Sequence, residues 1–174
     1  MRLDDDARRR FGEYFAARHI VVRRTAYLLC GDWHWADDLT QSTFIKVAAG
    51  WHRIRDVQLL DAYVRTCLVR TFLADTRRSW RRRERSYADV PDGHVGGDGA
   101  ESSASRMVFA AALQQLPPRQ RTTIVCRYYQ GLDVAETAAV LGCSEGTVKS
   151  QTAKALSTLR ERLSAGLKEE SCQN

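Results

Sequence analysis

The helical recurrence of apolar positions is clearest between Gly131 and Leu163, GLDVAETAAVLGCSEGTVKSQTAKALSTLRERL. Asp133 is placed to cap a first helix there, and Glu136 completes an acidic variant of the capping box. Val134, Ala138 and Leu141 give that helix an inner face of small and apolar groups. Gly142 stops it where a left-handed residue is needed, and Ser144 caps the next helix. Val148, Thr152, Ala155, Leu156, Leu159 and Leu163 then form a stripe that predicts a buried face. The opposite face carries Glu145, Thr147, Lys149, Ser150 and Lys154. Two helices, a short glycine-containing turn and a basic N-terminal half on the second predict a helix-turn-helix that binds DNA. A plain bundle corner needs the same stop and cap; the small residues at the crossing and the TVKS face favour DNA.

The same period runs upstream. Residues 4–30 open on three aspartates, favourable at a helix N-terminus, and continue with Phe11, Phe15, Ile20 (or His19), Val22, Ala26 and Leu29. After Gly31, Asp32 caps a second helix that Gly50 is expected to close, with Ala36, Leu39, Thr40, Thr43 and Val47 on its inner face. Asp38, Gln41, Ser42 and Ile45 fall on other faces and present an acidic, amide-bearing surface. A short segment, 52–61, leads to a third helix whose stripe is Leu60, Tyr63, Val64, Cys67, Leu68, Thr71 and Phe72. That helix runs into Arg77, Arg78, Arg81, Arg82, Arg83 and Arg85, with Trp80 among them. Arginine pairs bidentately with phosphate and stacks on bases, and an exposed indole is a platform for single-stranded DNA. Helix ends also favour cations, but this clustering favours nucleic acid.

Composition changes sharply at residues 86–104. The run PDGHVGGDGAESS is rich in Gly, Ser and Asp and has no Lys or Arg, so a flexible linker and a domain boundary are expected. Beyond it, 105–115 reads as a helix with Met107, Val108, Ala111, Ala112 and Leu113 apolar, and Leu116-Pro117-Pro118-Arg119 starts another. The expectation is an all-α protein of two small helical domains, 4–85 and 105–167, joined by the linker. Lys and Arg outnumber Asp and Glu by 27 to 21, a balance that favours a polyanionic partner. No apolar run is long enough for a membrane span or a signal-peptide core, so a cytoplasmic protein without membrane insertion is expected. Cys30, Cys67, Cys126, Cys143 and Cys172 are scattered, without a Cys-x-x-Cys pair, and read as reduced structural thiols.

Taken together, these residues resemble the extracytoplasmic-function (group 4) sigma factors of the sigma-70 family, nearest the actinobacterial sigma-E type. ADDLTQSTFIKV resembles the helix that docks on polymerase, and LPPRQRTTIVCRYYQGLDVAETAAVLGCSEGTVKSQTAKALSTLRERL the family's C-terminal domain. The resemblance implies partners: core RNA polymerase (the clamp of its largest subunit and the flap region), promoter DNA and an anti-sigma factor. It implies a polymerase-binding set of Asp37, Asp38, Leu39, Gln41 and Ser42. Asp37 stands where Glu is more usual and Ser42 where an acid is frequent, so this face carries one fewer charge. The segment 51–61 would capture a flipped base of the minus-10 element, a step that must offset a few kcal/mol of lost stacking. The implied minus-10 set is Trp51, Arg70, Arg77, Arg78, Trp80, Arg81 and Arg82; many relatives have Asn in place of Arg70. The implied minus-35 set is Arg119, Arg121, Ser144, Glu145, Thr147, Lys149, Ser150 and Lys154. The linker would lie in the RNA exit path, and no additional C-terminal sensory domain is expected.

Two rival readings differ in class. A stand-alone helix-turn-helix regulator would account for Gly131 to Leu163 but leave ADDLTQ and the arginine-tryptophan cluster unassigned. An enzyme is not expected: no Gly-rich phosphate loop, His-Glu-x-x-His or G-x-S-x-G motif occurs, and His19, His34, His52 and His94 share no ligand spacing. No catalytic residue, metal site or cofactor is expected.

Overall fold

The computed structural model describes residues 4–54, 56, 59–85 and 103–171, with side chains left undescribed at 53, 81–85, 103–107 and 163–171. Every regular element among the described residues is helical: α1 (Asp5–Cys30), α2 (Trp33–Gly50), α3 (Leu60–Arg85), α4 (Ser103–Gln114), α5 (Pro118–Ile124), α6 (Val134–Leu141) and α7 (Glu145–Ser171). The all-α expectation is met. The chain forms two compact units, Met1–Val95 and Gly96–Asn174.

In the first unit α1, α2 and α3 pack mutually. Asp4 caps α1 by accepting from the Ala7 amide at 2.7 Å, and Gly31 ends it in the left-handed region at φ 76°. Asp32 caps α2 in the same way, accepting from the Trp35 amide at 2.7 Å. The core gathers Ala26, Leu29, Leu39, Phe44, Val47, Leu60, Val64, Leu68 and Phe72. His19 rather than Ile20 turns inward; Ile20 is half exposed. On α3, Val69 and Leu73 join the expected stripe, whereas Tyr63 lies at the surface.

Gly50 does not end α2 through a left-handed turn. Its φ is −93°, and the chain passes straight into one 3-10 turn, Trp51–Arg53. A Cβ at Gly50 would sit 2.8 Å from the Tyr63 hydroxyl, so α3 approaches here more closely than a side chain would allow.

The second unit holds α4 to α7, with α4, α5 and α6 each packed on α7. α4 starts at Ser103, two residues earlier than expected, and buries Ala110, Ala112 and Leu113; Val108 and Ala111 face solvent. The remaining linker residues, 86–102, lie outside the described set. Pro118 opens α5 at a position where its missing N–H costs nothing. α5 widens into a π turn at Val125–Tyr129, whose last bond runs from the Gln130 amide to the Val125 carbonyl at 3.0 Å. α7 continues to Ser171, past the expected domain end at 167.

All the buried polar residues among those described are threonines: Thr25, Thr40, Thr43, Thr71, Thr122, Thr123 and Thr137. Each donates its hydroxyl to the carbonyl four residues back, at 2.7 to 3.0 Å. That self-contained bond is why a hydroxyl can replace a methyl on these inner faces without an unsatisfied donor.

Candidate polymerase-docking and DNA-binding faces

On α2, Asp37, Asp38 and Gln41 are exposed and Ser42 is half-buried. Leu39 departs from the expected docking set: it is 1% exposed, part of the α2 inner stripe, and its side chain is held inside the first unit. Asp37 is already engaged. Arg23 of α1 donates to its two carboxylate oxygens at 2.5 and 3.1 Å, and this pairing holds the Asp37 carboxyl below the usual carboxylate range. The same guanidinium lies 4.4 Å over the Trp33 ring, which stacks on Tyr27 with centroids 4.0 Å apart. Among the described residues Asp38 makes no ion pair, so its charge is presented outward.

The expected minus-10 residues divide between core and surface. Trp51 is a correction: at 9% exposed it packs edge-on against Phe11 at 5.3 Å and lies tilted against Tyr14 at 6.3 Å. It anchors the end of α2, with most of its surface enclosed by α1. Arg70, Arg77, Arg78 and Trp80 are exposed on α3, Trp80 at 67%. From Arg70 to Trp80 the helix rises about 15 Å, enough to follow several nucleotides. Arg77 donates through Nε to the Leu73 carbonyl at 3.1 Å, and Arg78 lies 3.9 Å from Asp75. Arg81 and Arg82 fall within α3, with their side chains outside the described residues.

In the second unit the helix-turn-helix assembles as its caps predict. Asp133 accepts from the Glu136 amide at 2.8 Å while Glu136 accepts from the Asp133 amide at 2.8 Å. Gly142 is left-handed at φ 62°, and the Ser144 hydroxyl accepts from the Thr147 amide at 3.2 Å. Ser144 and Thr147 also share a hydroxyl–hydroxyl bond of 2.9 Å, which fixes both at the N-terminus of α7. Val148, Ala155 and Leu159 are buried, Thr152 and Leu156 half-buried, and Leu163 lies outside the described side chains. Glu145, Lys149, Ser150 and Lys154 project outward, and Arg119 is exposed on α5.

Arg121 is the third correction. It is half-buried and reaches back to α4, donating to the carbonyls of Gln114 and Leu116 at 3.0 Å each and to the Gln114 side-chain oxygen. These carbonyls lie at and just beyond the C-terminus of α4, so the guanidinium serves as a clamp on that helix end. Its neighbour Arg119 retains the outward position.

Sequence reasoning missed two features. Tyr14 and Arg18 of α1 both bind Asp61, across 47 and 43 residues, at 2.7 and 2.6 Å. Tyr128 and Tyr129 stand exposed on the π turn. Among the described residues no cluster of His, Cys, Asp and Glu could hold a metal, and no helix is long and apolar enough to cross a membrane. Cys30, Cys67, Cys126 and Cys143 are in the reduced form, outside any disulfide, and burial pushes the Cys67 thiol up.

Comparison with known proteins addresses both units. Residues 15–82 match the family described as Sigma-70 region 2, and residues 106–159 match Sigma-70, region 4. The chain is 36% identical over 157 residues to the RNA polymerase sigma-E factor of Streptomyces avermitilis, covering 88% of this chain and 84% of that protein. It is 32% identical over 140 residues to the ECF RNA polymerase sigma factor EcfG of Rhodopseudomonas palustris, covering 79% of this chain and 76% of that protein. Among solved structures, it resembles the sigma factor RpoE of Bartonella quintana, crystallised with the anti-sigma factor NepR. That likeness has a TM-score of 0.75 at 28% identity, covering 88% of this chain and 96% of that one.

Proposed function

The chain belongs to the extracytoplasmic-function sigma factors of the sigma-70 family, and from that membership we propose how its two units share promoter recognition. It is an alternative sigma factor, which binds core RNA polymerase and directs initiation at particular promoters. The observation that carries this reading is the order of the two matches, region 2 then region 4, along one chain. A stand-alone regulator would need only the second.

In the first unit, Asp38 and Gln41 contact the clamp of the largest polymerase subunit, with Ser42 beside them. Their exposure on one helix supports that role. Asp37 contributes less, since Arg23 already satisfies it. Arg70, Arg77, Arg78 and Trp80 line the melted minus-10 strand, arginines on phosphate and the indole on a base, with Arg81 and Arg82 extending the series. The segment 51–61 captures the flipped base.

In the second unit, α7 enters the major groove of the minus-35 element by its N-terminal half. Lys149, Ser150 and Lys154 meet phosphates or base edges, Glu145 faces base edges, and Arg119 holds the backbone. Ser144 and Thr147 shape the helix entry, because their hydroxyls are tied to one another and to the cap. The flap region is the polymerase partner of this unit. Bartonella RpoE was solved with an anti-sigma factor, and a comparable inhibitor is assigned to this chain. Cytoplasmic action without enzymatic activity follows from the same role.

Gel filtration with bacterial core polymerase tests the reading. The wild-type protein should co-elute with core and the Asp38→Arg variant should not. Failure of the wild type to co-elute, together with tight binding to duplex promoter DNA by itself, would overturn it.

A further inference from the structure

The segment assigned to base capture runs from Trp51 to Asp61, and one side chain of α1 meets both of those residues. The Tyr14 ring packs 6.3 Å from the Trp51 ring, and its hydroxyl donates to Asp61 Oδ1 at 2.7 Å. One helical turn further on, Arg18 donates to Asp61 Oδ2 at 2.6 Å. A second closure lies just outside these points: Gly50 lacks the Cβ that would meet the Tyr63 hydroxyl at 2.8 Å. The ends of the segment are therefore drawn together by groups that neither composition nor helical period singles out.

We propose that Tyr14 is a positioning residue for minus-10 recognition: through Trp51 and Asp61 it fixes both ends of the base-capturing segment on α1. The proposal rests on the reading of 51–61 as that segment. Tyr14 touches no DNA in this role. Its effect is to hold the ends of the segment at a fixed spacing before DNA arrives, so that less conformational freedom is lost on capture. The chemistry suits a permanent tie. Burial and the adjacent carboxylate push the Tyr14 hydroxyl above its ordinary range, so it remains a donor throughout the neutral region. Asp61, held by a phenol and a guanidinium, keeps both oxygens engaged.

Tyr14→Phe removes one oxygen, keeps the ring against Trp51 and deletes the bond to Asp61. Holoenzyme reconstituted on core polymerase would transcribe two promoter libraries, one randomised across the minus-10 element and one across the minus-35 element. Tyr14→Phe should lower the minus-10 base preference by about tenfold, the loss expected for one hydrogen bond to a charged group. The minus-35 preference and co-elution with core should not change. Arg18→Gln, which weakens the same carboxylate anchor at the surface, should act in the same direction and less. An unchanged minus-10 preference would overturn the proposal, as would a parallel fall in both preferences, which marks a general structural defect. The double variant His52→Ala with Leu59→Ala, at exposed positions of the segment, separates the two levels. If that variant alters minus-10 preference while Tyr14→Phe does not, the tie alone fails. If it leaves the preference intact, the segment does not read the base, and the tie falls with it.

Discussion

Arg119 and Arg121 are two residues apart and were expected to do the same work, yet they sit in different environments. Arg121 is half-buried and closes the C-terminus of α4, while Arg119 projects from α5. Arg121→Ala should therefore lower the stability of the second unit by about 1–3 kcal/mol, because part-buried carbonyls lose a charged donor. Arg119→Ala should leave stability within about 0.5 kcal/mol and weaken minus-35 binding instead. Thermal unfolding and salt-dependent DNA titrations on both variants check the pair. Arg23 and Asp37 make a second residue-scale case. The folded carboxyl titrates below its unfolded value, so its contribution is present above the unfolded pKa near 4 and disappears as pH falls through the lower folded value. Both side chains are substantially exposed, so the effect is at most about 1 kcal/mol. Wild type and Arg23→Gln should differ in unfolding midpoint at neutral pH and converge in strong acid. A gap that widens on acidification would contradict the pairing.

At the scale of elements, what the sequence disclosed depended on range. The stops and caps at Gly31, Asp32, Asp133, Glu136, Gly142 and Ser144 act over three or four residues, and all were readable because the chemistry is local. Periodicity gave the phase of most of each helix, though not at Ile20, Tyr63, Val108 or Ala111, and it did not give depth. It could not say that Leu39 lies wholly inside while Asp38 beside it lies at the surface. Trp51, at the junction of α2 with a 3-10 turn, belongs to no stripe, and its burial depends on Phe11 and Tyr14 from another helix. The Tyr14–Asp61 bond spans 47 residues, and the Arg121 clamp reaches five to seven residues back, so neither falls within the three- or four-residue range of a cap. The π turn after α5 was likewise hidden, since its widened bond leaves composition unchanged. Local legibility gives the recognition element its own prediction. Asp133→Ala removes one half of a reciprocal capping box and should cost about 1 kcal/mol of second-unit stability. Lys149→Ala with Lys154→Ala should leave the fold intact. If both lysines meet phosphate, the slope of log affinity against log salt becomes shallower by about 1.8. A slope that does not move would remove phosphate contact from that face.

For the whole molecule, the decisive question is whether docking and reading are separable. The exposed acidic position of α2 lies in one compact unit and the exposed basic positions of α7 in the other. Asp38 makes no ion pair among the described residues and lies outside the core, so reversing its charge should leave the first unit folded. Like charge against a basic surface on the polymerase would then oppose docking, and truncating or reversing such a contact changes affinity by several kcal/mol. Asp38→Arg should accordingly lose co-elution with core while keeping the wild-type unfolding transition. Lys149→Ala with Lys154→Ala should show the converse: full co-elution, and reduced transcription only from promoters that depend on a minus-35 element. Because the substituted groups share no partner, the triple variant should lose core binding to the same extent as Asp38→Arg alone. If the lysine substitutions also released core, the basic face of α7 would belong to polymerase docking, and the division of labour between the units would have to be redrawn.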